Sequence, residues 1–384
     1  MISERTRQAM DRSVELWERK ASDRILASFN TEGDVGLSAV RTMDGTVSER
    51  YPALYDDVPR MLTDFEAGIT REELRGNDGI WDDDPRIPKA WPELQFGNGM
   101  PGAIFGGEVI TTSTFDHTYT FNEPVVTDWA QVDGLRFDPS NCWVKRIDSA
   151  LRHFVACGTK EYVVQPFFII EGTDFLVSMR GTTQALLDVM DRPPGVRRLY
   201  QLGYEAGAAW FEMKRAIVKE HNERVFCHPR FSDLAPIHAA PYLDMDADAL
   251  CSPKHFEELV FEYKQKMLTH FHGGCFYIHA LGSFIVPIAA HLEDLTELWL
   301  FDDPNCPRYF DRRVEMRKIT RDIPLEMLCD LPDFLDALEK RTLPGGIRYN
   351  VVMGGARPTV AELNEIMGKV RDYRTTTLAG RHAT

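Results

Sequence analysis

Two short apolar segments in the last third of the chain indicate how the fold is built. Cys275–Ile278 and Leu298–Phe301 are runs of aromatic, aliphatic and β-branched residues that are too short for helices. The first run ends at His279, and the second ends at Asp302 and Asp303. A buried strand, a crossover and a second buried strand form the repeating unit of a parallel α/β sheet.

Alternating strand and helix patterns continue along most of the chain. Periodicity and turn residues predict strands at Arg24–Phe29, Tyr162–Ile170, Val225–Pro229, Pro324–Leu328 and Gly346–Val352. Helical spacing predicts helices at Ile2–Lys20, Tyr51–Ala67, Asn141–Cys157, Gly181–Met190, Pro194–Glu220 and 307–320. Start signals predict three more helices. One begins at Asp330, one follows Ser252 with Pro253 in its first turn, and one follows Thr359, which forms a capping box with Glu362.

At least six strand–helix pairs follow one another in the C-terminal part of the chain. Such a series favours a (β/α)8 TIM barrel over a doubly wound sheet. The sequence also lacks the glycine-rich fingerprints of Rossmann and P-loop folds. We therefore predict an α/β fold with the barrel at residues 101–374, N-terminal helices and wrapping loops of the same domain at 1–100, and a flexible tail at 375–384.

Composition and charge narrow the function. The 384 residues are 43% hydrophobic and carry a net charge of −15, which argues against nucleic acid or an anionic membrane as a partner. The charged N-terminus has no apolar core of a signal peptide, and no apolar run is long enough to span a bilayer. Seven scattered cysteines without a C-x-x-C pair indicate reduced thiols. We expect a cytoplasmic protein.

Ionisable side chains follow several predicted strands, where parallel α/β folds place their functional groups. His279 is the first catalytic candidate, with Asp246 and Asp303 beside it. Three further residues at or just beyond predicted strand ends are substrate-binding candidates: His228, His238 and Asp244.

Two chemical interpretations of these residues stay open. In one, His279 with His228 or His238 and an aspartate binds a divalent metal such as zinc, which acts as a Lewis acid or activates water. In the other, His279 and Asp246 are a metal-free general acid and base. Each residue also has a purely structural alternative: His279 as a core histidine bound to a carbonyl, and Asp246 as a cap or loop residue.

Arg180 and Tyr277 are the remaining substrate-binding candidates. Arg180 precedes Gly181 and a predicted helix, so its guanidinium could bind a carboxylate or phosphate with the help of the helix N-terminus. The alternative for Arg180 is a salt bridge. Tyr277 lies within the strand that ends at His279.

Two segments are distinctive as sequence motifs: FLVSMRGTTQALLDVMDRPPGVRRLYQLG (Phe175–Gly203) and CSPKHFEELVFEYKQKM (Cys251–Met267). The first resembles a stretch of the uroporphyrinogen decarboxylase superfamily, in an uncharacterised branch related to the corrinoid and coenzyme M methyltransferases, and the second is similar to one of that superfamily's helices. FYIHALG stands where the superfamily has a strand that ends in a histidine motif, and IFGGEV and Leu135–Pro139 resemble the same branch. The resemblance covers about residues 100–373 and implies a (β/α)8 barrel and a homodimer.

The departures from this superfamily are informative. The arginine motif that grips porphyrinogen carboxylates is represented by Arg7-Gln8-Ala9-Met10 alone, without its second arginine. The zinc methyltransferases use a His-x-Cys and a later cysteine, whereas this chain has His279-Ala280-Leu281 and no cysteine near Gly354. The loss of two thiolates weighs against a thiol-activating zinc site.

Three function classes remain. The leading hypothesis is an enzyme that transfers or removes a methyl group of a small or medium organic substrate, with a corrinoid or folate partner. The second is a decarboxylase or other lyase that uses a His/Asp acid–base pair. The third is a non-catalytic binding barrel.

Overall fold

A parallel β-sheet forms the centre of the protein, which we describe from a computed structural model. The structure describes residues 11–12, 14–30, 59, 62–63, 89–90, 99–113, 118–157, 163–164, 166, 171–219, 221, 225–227, 234–236, 242–243, 246–354 and 358–375. Its strands are β1 (Ile25–Asn30), β2 (Lys89–Ala90), β3 (Val109–Ser113), β4 (Thr118–Asn122), β5 (Val163–Val164), β6 (Val225–Cys227), β7 (Leu234–Pro236), β8 (Tyr242–Leu243), β9 (Gly274–His279), β10 (Leu295–Phe301), β11 (Leu325–Asp330) and β12 (Ile347–Val352).

Helices are also assigned among the described residues. They are α1 (Met100–Ala103), α2 (Cys142–Cys157), α3 (Gly172–Arg180), α4 (Thr182–Asp191), α5 (Pro193–Val218), α6 (Phe261–Phe271), α7 (Val286–Ala289), α8 (Arg313–Thr320), α9 (Leu331–Glu339) and α10 (Val360–Asp372). A helical turn at Pro253–His255 and a π-helical turn at Phe256–Val260 lead into α6. Three 3-10 helices lie at Trp129–Gly134, Asp248–Leu250 and Ala280–Ile285. In the N-terminal part, residues 11–12, 14–17, 59 and 62–63 are helical.

Among the described residues the main sheet has six strands in the order β1-β12-β11-β10-β9-β8, and every neighbouring pair is parallel. From β8 to β12 the strands follow one another in sequence order, and β1, the first strand, lies beside the last. Three smaller sheets are the parallel pair β2–β5 and the antiparallel pairs β3–β4 and β6–β7. The predicted α/β class with parallel strands alternating with helices is confirmed for the described residues.

The two faces of the main sheet carry different chemistry because side chains alternate along each strand. On one face Phe29 and Tyr349 pack against Phe334 of α9, with ring centroids 6.1 and 5.7 Å apart. Full burial of each such aromatic side chain stabilises the fold by roughly 1.5–3 kcal/mol. This apolar face holds the outer helices against the sheet.

The opposite face carries buried polar groups. Ser28 donates a hydrogen bond to Oδ1 of Asn350 at 3.1 Å, and Asn350 donates to Oε1 of Glu326 at 3.0 Å. Near the start of β10, Glu297 accepts a hydrogen bond from Nε1 of Trp17 at 2.8 Å. Buried polar groups are tolerated when they bind one another, so this face is a connected polar interior.

Most predicted helix boundaries agree with the structure where their residues are described. Ser252 accepts a hydrogen bond from the amide of His255, and Thr359 and Glu362 form the predicted capping box. The main omission is helix α3, which the sequence analysis did not predict. Arg180 is the last residue of this helix and stands immediately before Gly181 and α4.

Among the helices that the structure describes, we find none with both the length and the apolar character needed to cross a lipid bilayer.

Candidate functional site

Three of the predicted residues meet at the carboxyl edge of the main sheet. His279 is the last residue of β9, Asp303 follows the end of β10, and Asp246 follows the end of β8. Because these three strands are parallel neighbours, their carboxyl ends open onto the same edge. Strand order, rather than proximity in sequence, brings the three side chains together.

The imidazole of His279 bridges two carboxylates. Its Nδ1 atom lies 2.5 Å from Oδ1 of Asp303, and its Nε2 atom lies 2.8 Å from Oδ1 of Asp246. The second oxygen of Asp303 accepts the backbone amide of Leu281 at 2.8 Å. Asp303 is therefore fixed from two directions and sets the orientation of the ring.

Aromatic rings contact the imidazole of His279, and a tyrosine hydroxyl binds its backbone carbonyl. The ring of Tyr277 meets the imidazole edge-on at 4.5 Å, and that of Phe301 does so at 5.3 Å. Tyr309 donates a hydrogen bond from its hydroxyl to the carbonyl oxygen of His279 at 3.1 Å. The side chain of Asp246 is 45% exposed and that of His279 is 22% exposed, so the pair is accessible from solvent.

Both carboxylates act on the protonation of His279. Partial burial by itself lowers the pKa of the imidazole, but the hydrogen bonds and negative charges of Asp246 and then of Asp303 outweigh that effect. The pKa of His279 is consequently raised above its ordinary value of 6.5. A histidine bound at both nitrogens by carboxylates is an imidazolium that can donate a proton.

The metal interpretation paired His279 with His228 or His238, which lie outside the described residues, so it stays a prediction. A metal ligand needs a free lone pair on one imidazole nitrogen, yet both nitrogens of His279 face carboxylate oxygens at hydrogen-bonding distance. Among the described residues no group of three or more histidine, cysteine, aspartate or glutamate side chains converges on one point as a metal site would. The acid–base interpretation matches the observed contacts better.

Comparison with known proteins adds little to this geometry. No family model matches the chain, and no curated protein is similar to it in sequence. In structure the chain is similar to a methyltransferase from Methanosarcina mazei, with 10% sequence identity and a TM-score of 0.46, over 78% of this chain and 90% of that one. So distant a likeness implies neither a shared family nor a shared activity.

The structure places Arg180 away from any open surface. Its Nε atom lies 2.6 Å from Oδ2 of Asp188, and its Nη1 atom donates to the carbonyl of Val126 at 2.5 Å. The guanidinium also lies 4.7 Å above the ring of Trp129. The salt-bridge alternative describes these contacts, and we do not include Arg180 in the site.

Tyr277 is fully buried beneath His279 and stacks on Trp299, with centroids 4.3 Å apart. Its position suits a residue that supports the imidazole rather than one that touches a substrate.

The other three candidates, His228, His238 and Asp244, lie outside the described residues. The strand that precedes His228, β6, pairs with β7 in an antiparallel hairpin. The predicted strand at Val225–Pro229 is confirmed for its described residues, Val225–Cys227, which lie outside the main sheet.

Tyr309 is the site residue that sequence analysis missed. It reaches His279 from thirty positions along the chain, and its backbone amide is held by Oδ1 of Asp302 at 2.7 Å. No spacing or motif signals this contact, since it depends on how the loop after β10 folds back over the sheet edge.

Proposed function

We propose that the chain is a (β/α)8-barrel enzyme in which protonated His279 donates a proton to a small or medium organic substrate. The observation that carries this proposal is the imidazole bridged between Asp246 and Asp303 at the carboxyl edge of parallel strands. Such a proton donor contributes about 10²–10⁴-fold to a rate.

The strand order supports the barrel. A sequential run of parallel strands with the first strand beside the last is the order from which a closed barrel forms. In this proposal the short parallel pair β2–β5 belongs to the part of the ring between β1 and β8. The amino end of the barrel is then covered by the N-terminal helix through Trp17.

Each residue of the site has a distinct part in the proposed chemistry. Asp303 orients the ring and stabilises its positive charge. Asp246, the more exposed carboxylate, shares the Nε2 proton of His279 and gives it up as the substrate approaches. His279 then transfers that proton to the substrate atom on which negative charge develops.

Methyl transfer is the reaction class that we propose for this site, and the resemblance to the uroporphyrinogen decarboxylase superfamily supports it. The bond between a methyl group and a substrate heteroatom breaks, its electron pair stays on the heteroatom, and the proton of His279 binds there. The methyl group passes to a nucleophilic acceptor, for which that resemblance implies a corrinoid or folate partner. Leu250 and Leu281, near Asp246 and His279, are 53% and 55% exposed, so this part of the rim is accessible to a large acceptor.

A decarboxylase or lyase finds less support. It would need a cation to hold the substrate carboxylate. Arg180 is bound to Asp188, and Arg308, at the sheet edge, lies 2.8 Å from Asp333, 3.4 Å from Asp330 and 4.0 Å from Asp302. The positive charge of each guanidinium group is therefore already paired with carboxylates of the protein.

The proposal is tested by incubating the purified protein with methylated amines, thiols and aryl methyl ethers. Cob(I)alamin and tetrahydrofolate serve in turn as acceptor, and mass spectrometry detects the methylated acceptor and the demethylated product. We expect His279→Gln to lower the rate by roughly 10²–10⁴-fold, whereas Lys369→Ala on the exposed face of α10 keeps it. Turnover that survives in His279→Gln, or ligand binding without turnover, would contradict the proposal.

A further inference from the structure

A group of buried polar residues lies next to the segment that carries Asp246. We call it the buried polar cluster; its members come from the N-terminal end of α3, from α5 and from the segment 248–271. They are Glu171, Thr173, Tyr200, Asp248, His255 and Lys264, and none is more than 6% exposed. The acid–base chemistry proposed above uses none of them.

Hydrogen bonds run through the cluster in one direction. The Tyr200 hydroxyl lies 3.1 Å from Nε2 of His255 and 2.7 Å from Oγ1 of Thr173, and Thr173 donates to Oδ1 of Asp248. Every donor is satisfied when His255 donates to Tyr200, Tyr200 to Thr173, and Thr173 to the carboxylate. Burial lowers the pKa of His255 and the charge of Asp248 opposes it only in part, so the imidazole is neutral, as this order requires.

A buried ammonium group, that of Lys264, lies between two carboxylates of the cluster. Nζ of Lys264 lies 2.5 Å from Oε1 of Glu171 and 3.9 Å from Oδ2 of Asp248. Burial alone would lower the pKa of Lys264, but the two carboxylates more than offset this, and its pKa is raised. Gly172 has φ +65°, and a Cβ atom there would stand 3.2 Å from Nζ, so the close approach of the α3 terminus requires glycine.

The segment 246–250 is held to α3 at two consecutive residues. The backbone amide of Ala247 donates a hydrogen bond to Oδ1 of Asp174 at 3.0 Å. The carboxylate of Asp248 accepts a hydrogen bond from the hydroxyl of Thr173. Asp246, which precedes both, turns outward to Nε2 of His279. The residues that fix this segment are therefore adjacent on the first turn of α3.

We propose that Thr173 and Asp174 are positioning residues, which hold the segment 246–250 so that the carboxylate of Asp246 stays on His279. The inference rests on the proposed function in that it takes the Asp246–His279 contact as the working pair.

The chemistry of the cluster supports a positioning role. A buried charged cluster stabilises a fold less than apolar packing of the same volume would, so its benefit lies in fixing one geometry. The π-helical turn Phe256–Val260, one residue beyond His255, is a distortion that often accompanies functional sites.

The test measures the titration of His279 by NMR in the full chain with isotope-labelled histidine, and His279→Gln assigns the signal. Among the described residues, the charged or titratable groups that contact this imidazole are Asp246 and Asp303, with Tyr277 against the ring and Tyr309 on its carbonyl. We expect Asp246→Asn to lower the pKa of His279, because the Asp246 charge that raises it is lost. Asp174→Ala should lower it in the same direction, because Asp246 moves away.

Asp174→Asn is the matched control. It removes the same charge as Asp174→Ala but keeps an amide oxygen that can accept the Ala247 amide, so the titration of His279 should match that of the unmodified protein. Thr173→Val and Thr173→Ser form a second, independent pair, in which only valine removes the hydroxyl.

Each outcome decides a different question. A folded Asp174→Ala or Thr173→Val protein with an unchanged His279 titration would overturn the positioning role while leaving the proposed function intact. An Asp246→Asn protein with an unchanged titration would overturn the pair itself. If Asp174→Ala and Thr173→Val both lose the near-UV circular dichroism of the folded protein, the cluster is an element of stability and the positioning role is rejected.

Discussion

Asp303 accepts a hydrogen bond from Nδ1 of His279 at 2.5 Å across two neighbouring parallel strands, while its other oxygen binds the amide of Leu281 at 2.8 Å. With Asp246 on Nε2, the imidazole is held at both nitrogens. The consequences of this relationship can be measured without knowledge of the substrate.

The first prediction concerns pH. Because the pKa of His279 is raised in the folded state, the native protein binds its proton more tightly than the unfolded chain does. This stabilisation is fully present below the unfolded value of about 6.5 and is lost as the pH rises through the folded value. Urea unfolding from about pH 5.5 to pH 9 should therefore show an unfolding free energy that falls over this window in the unmodified protein.

His279→Gln is the comparison for this prediction, since glutamine cannot titrate. The unfolding free energy of His279→Gln should lack that decline. The difference in unfolding free energy between the two proteins should therefore become smaller as the pH rises. Parallel curves for the two proteins would show that His279 has the same pKa folded and unfolded.

Lys264→Met should be strongly destabilising. It leaves Glu171 and Asp248 buried without their cation, and removal of one partner of a buried ion pair costs about 3–5 kcal/mol. Adding Glu171→Gln to Lys264→Met should recover part of the loss. If Lys264→Met and the double variant have equal unfolding free energies, the loss does not come from an unpaired charge on Glu171.

Trp17 provides a test of how the N-terminal segment is attached. Its indole donates to buried Glu297 at 2.8 Å, across 280 positions of sequence. Trp17→Phe keeps an aromatic ring and removes the donor, and we expect a loss of about 1–3 kcal/mol in urea unfolding. In a protein that already carries Glu297→Leu, Trp17→Phe should lower the unfolding free energy clearly less, because the acceptor is absent. An equal loss in both backgrounds would show that Trp17 acts through packing rather than through the hydrogen bond.

Arg180 distinguishes a structural role from substrate binding. Arg180→Met breaks a buried pair with Asp188 and should lower the unfolding free energy by roughly 3–5 kcal/mol. The NMR titration of His279 should be unchanged in the folded variant, because Arg180 contacts none of the site residues that the structure describes. A shifted pKa of His279 in this variant would show that Arg180 does affect the site.

The local pattern of the sequence was sufficient for most of the regular elements. The apolar runs at Cys275–Ile278 and Leu298–Phe301 are strands, and the capping residues Ser252 and Thr359 start helices as predicted. These signals are local, since a strand or a cap depends on a few neighbouring residues. Helix α3 was missed because the sequence analysis recognised no start signal for it: its N-cap, Glu171, makes no side-chain cap hydrogen bond.

The site was predictable to the extent that it follows strand ends. His279 and Asp303 end adjacent apolar runs, so the rule that parallel sheets collect functional groups at one edge placed them together. The same rule gave no sign of Tyr309. Arg180 was a candidate because it precedes a predicted helix, and its guanidinium is bound to Asp188 instead. Spacing identifies which residues end an element but not which way a following loop turns.

The sequence by itself determined the α/β class of fold, most of its helices and main-sheet strands, and His279 with Asp246 and Asp303 as candidates. Tertiary structure decided that both nitrogens of one imidazole are bound by carboxylates, that Arg180 is a buried structural cation, and that Thr173 and Asp174 form hydrogen bonds with Asp248 and Ala247. The physical reason is that secondary structure arises from neighbours in the chain, whereas these contacts join residues 8 to 75 positions apart and exist only once their helices and strands have packed together.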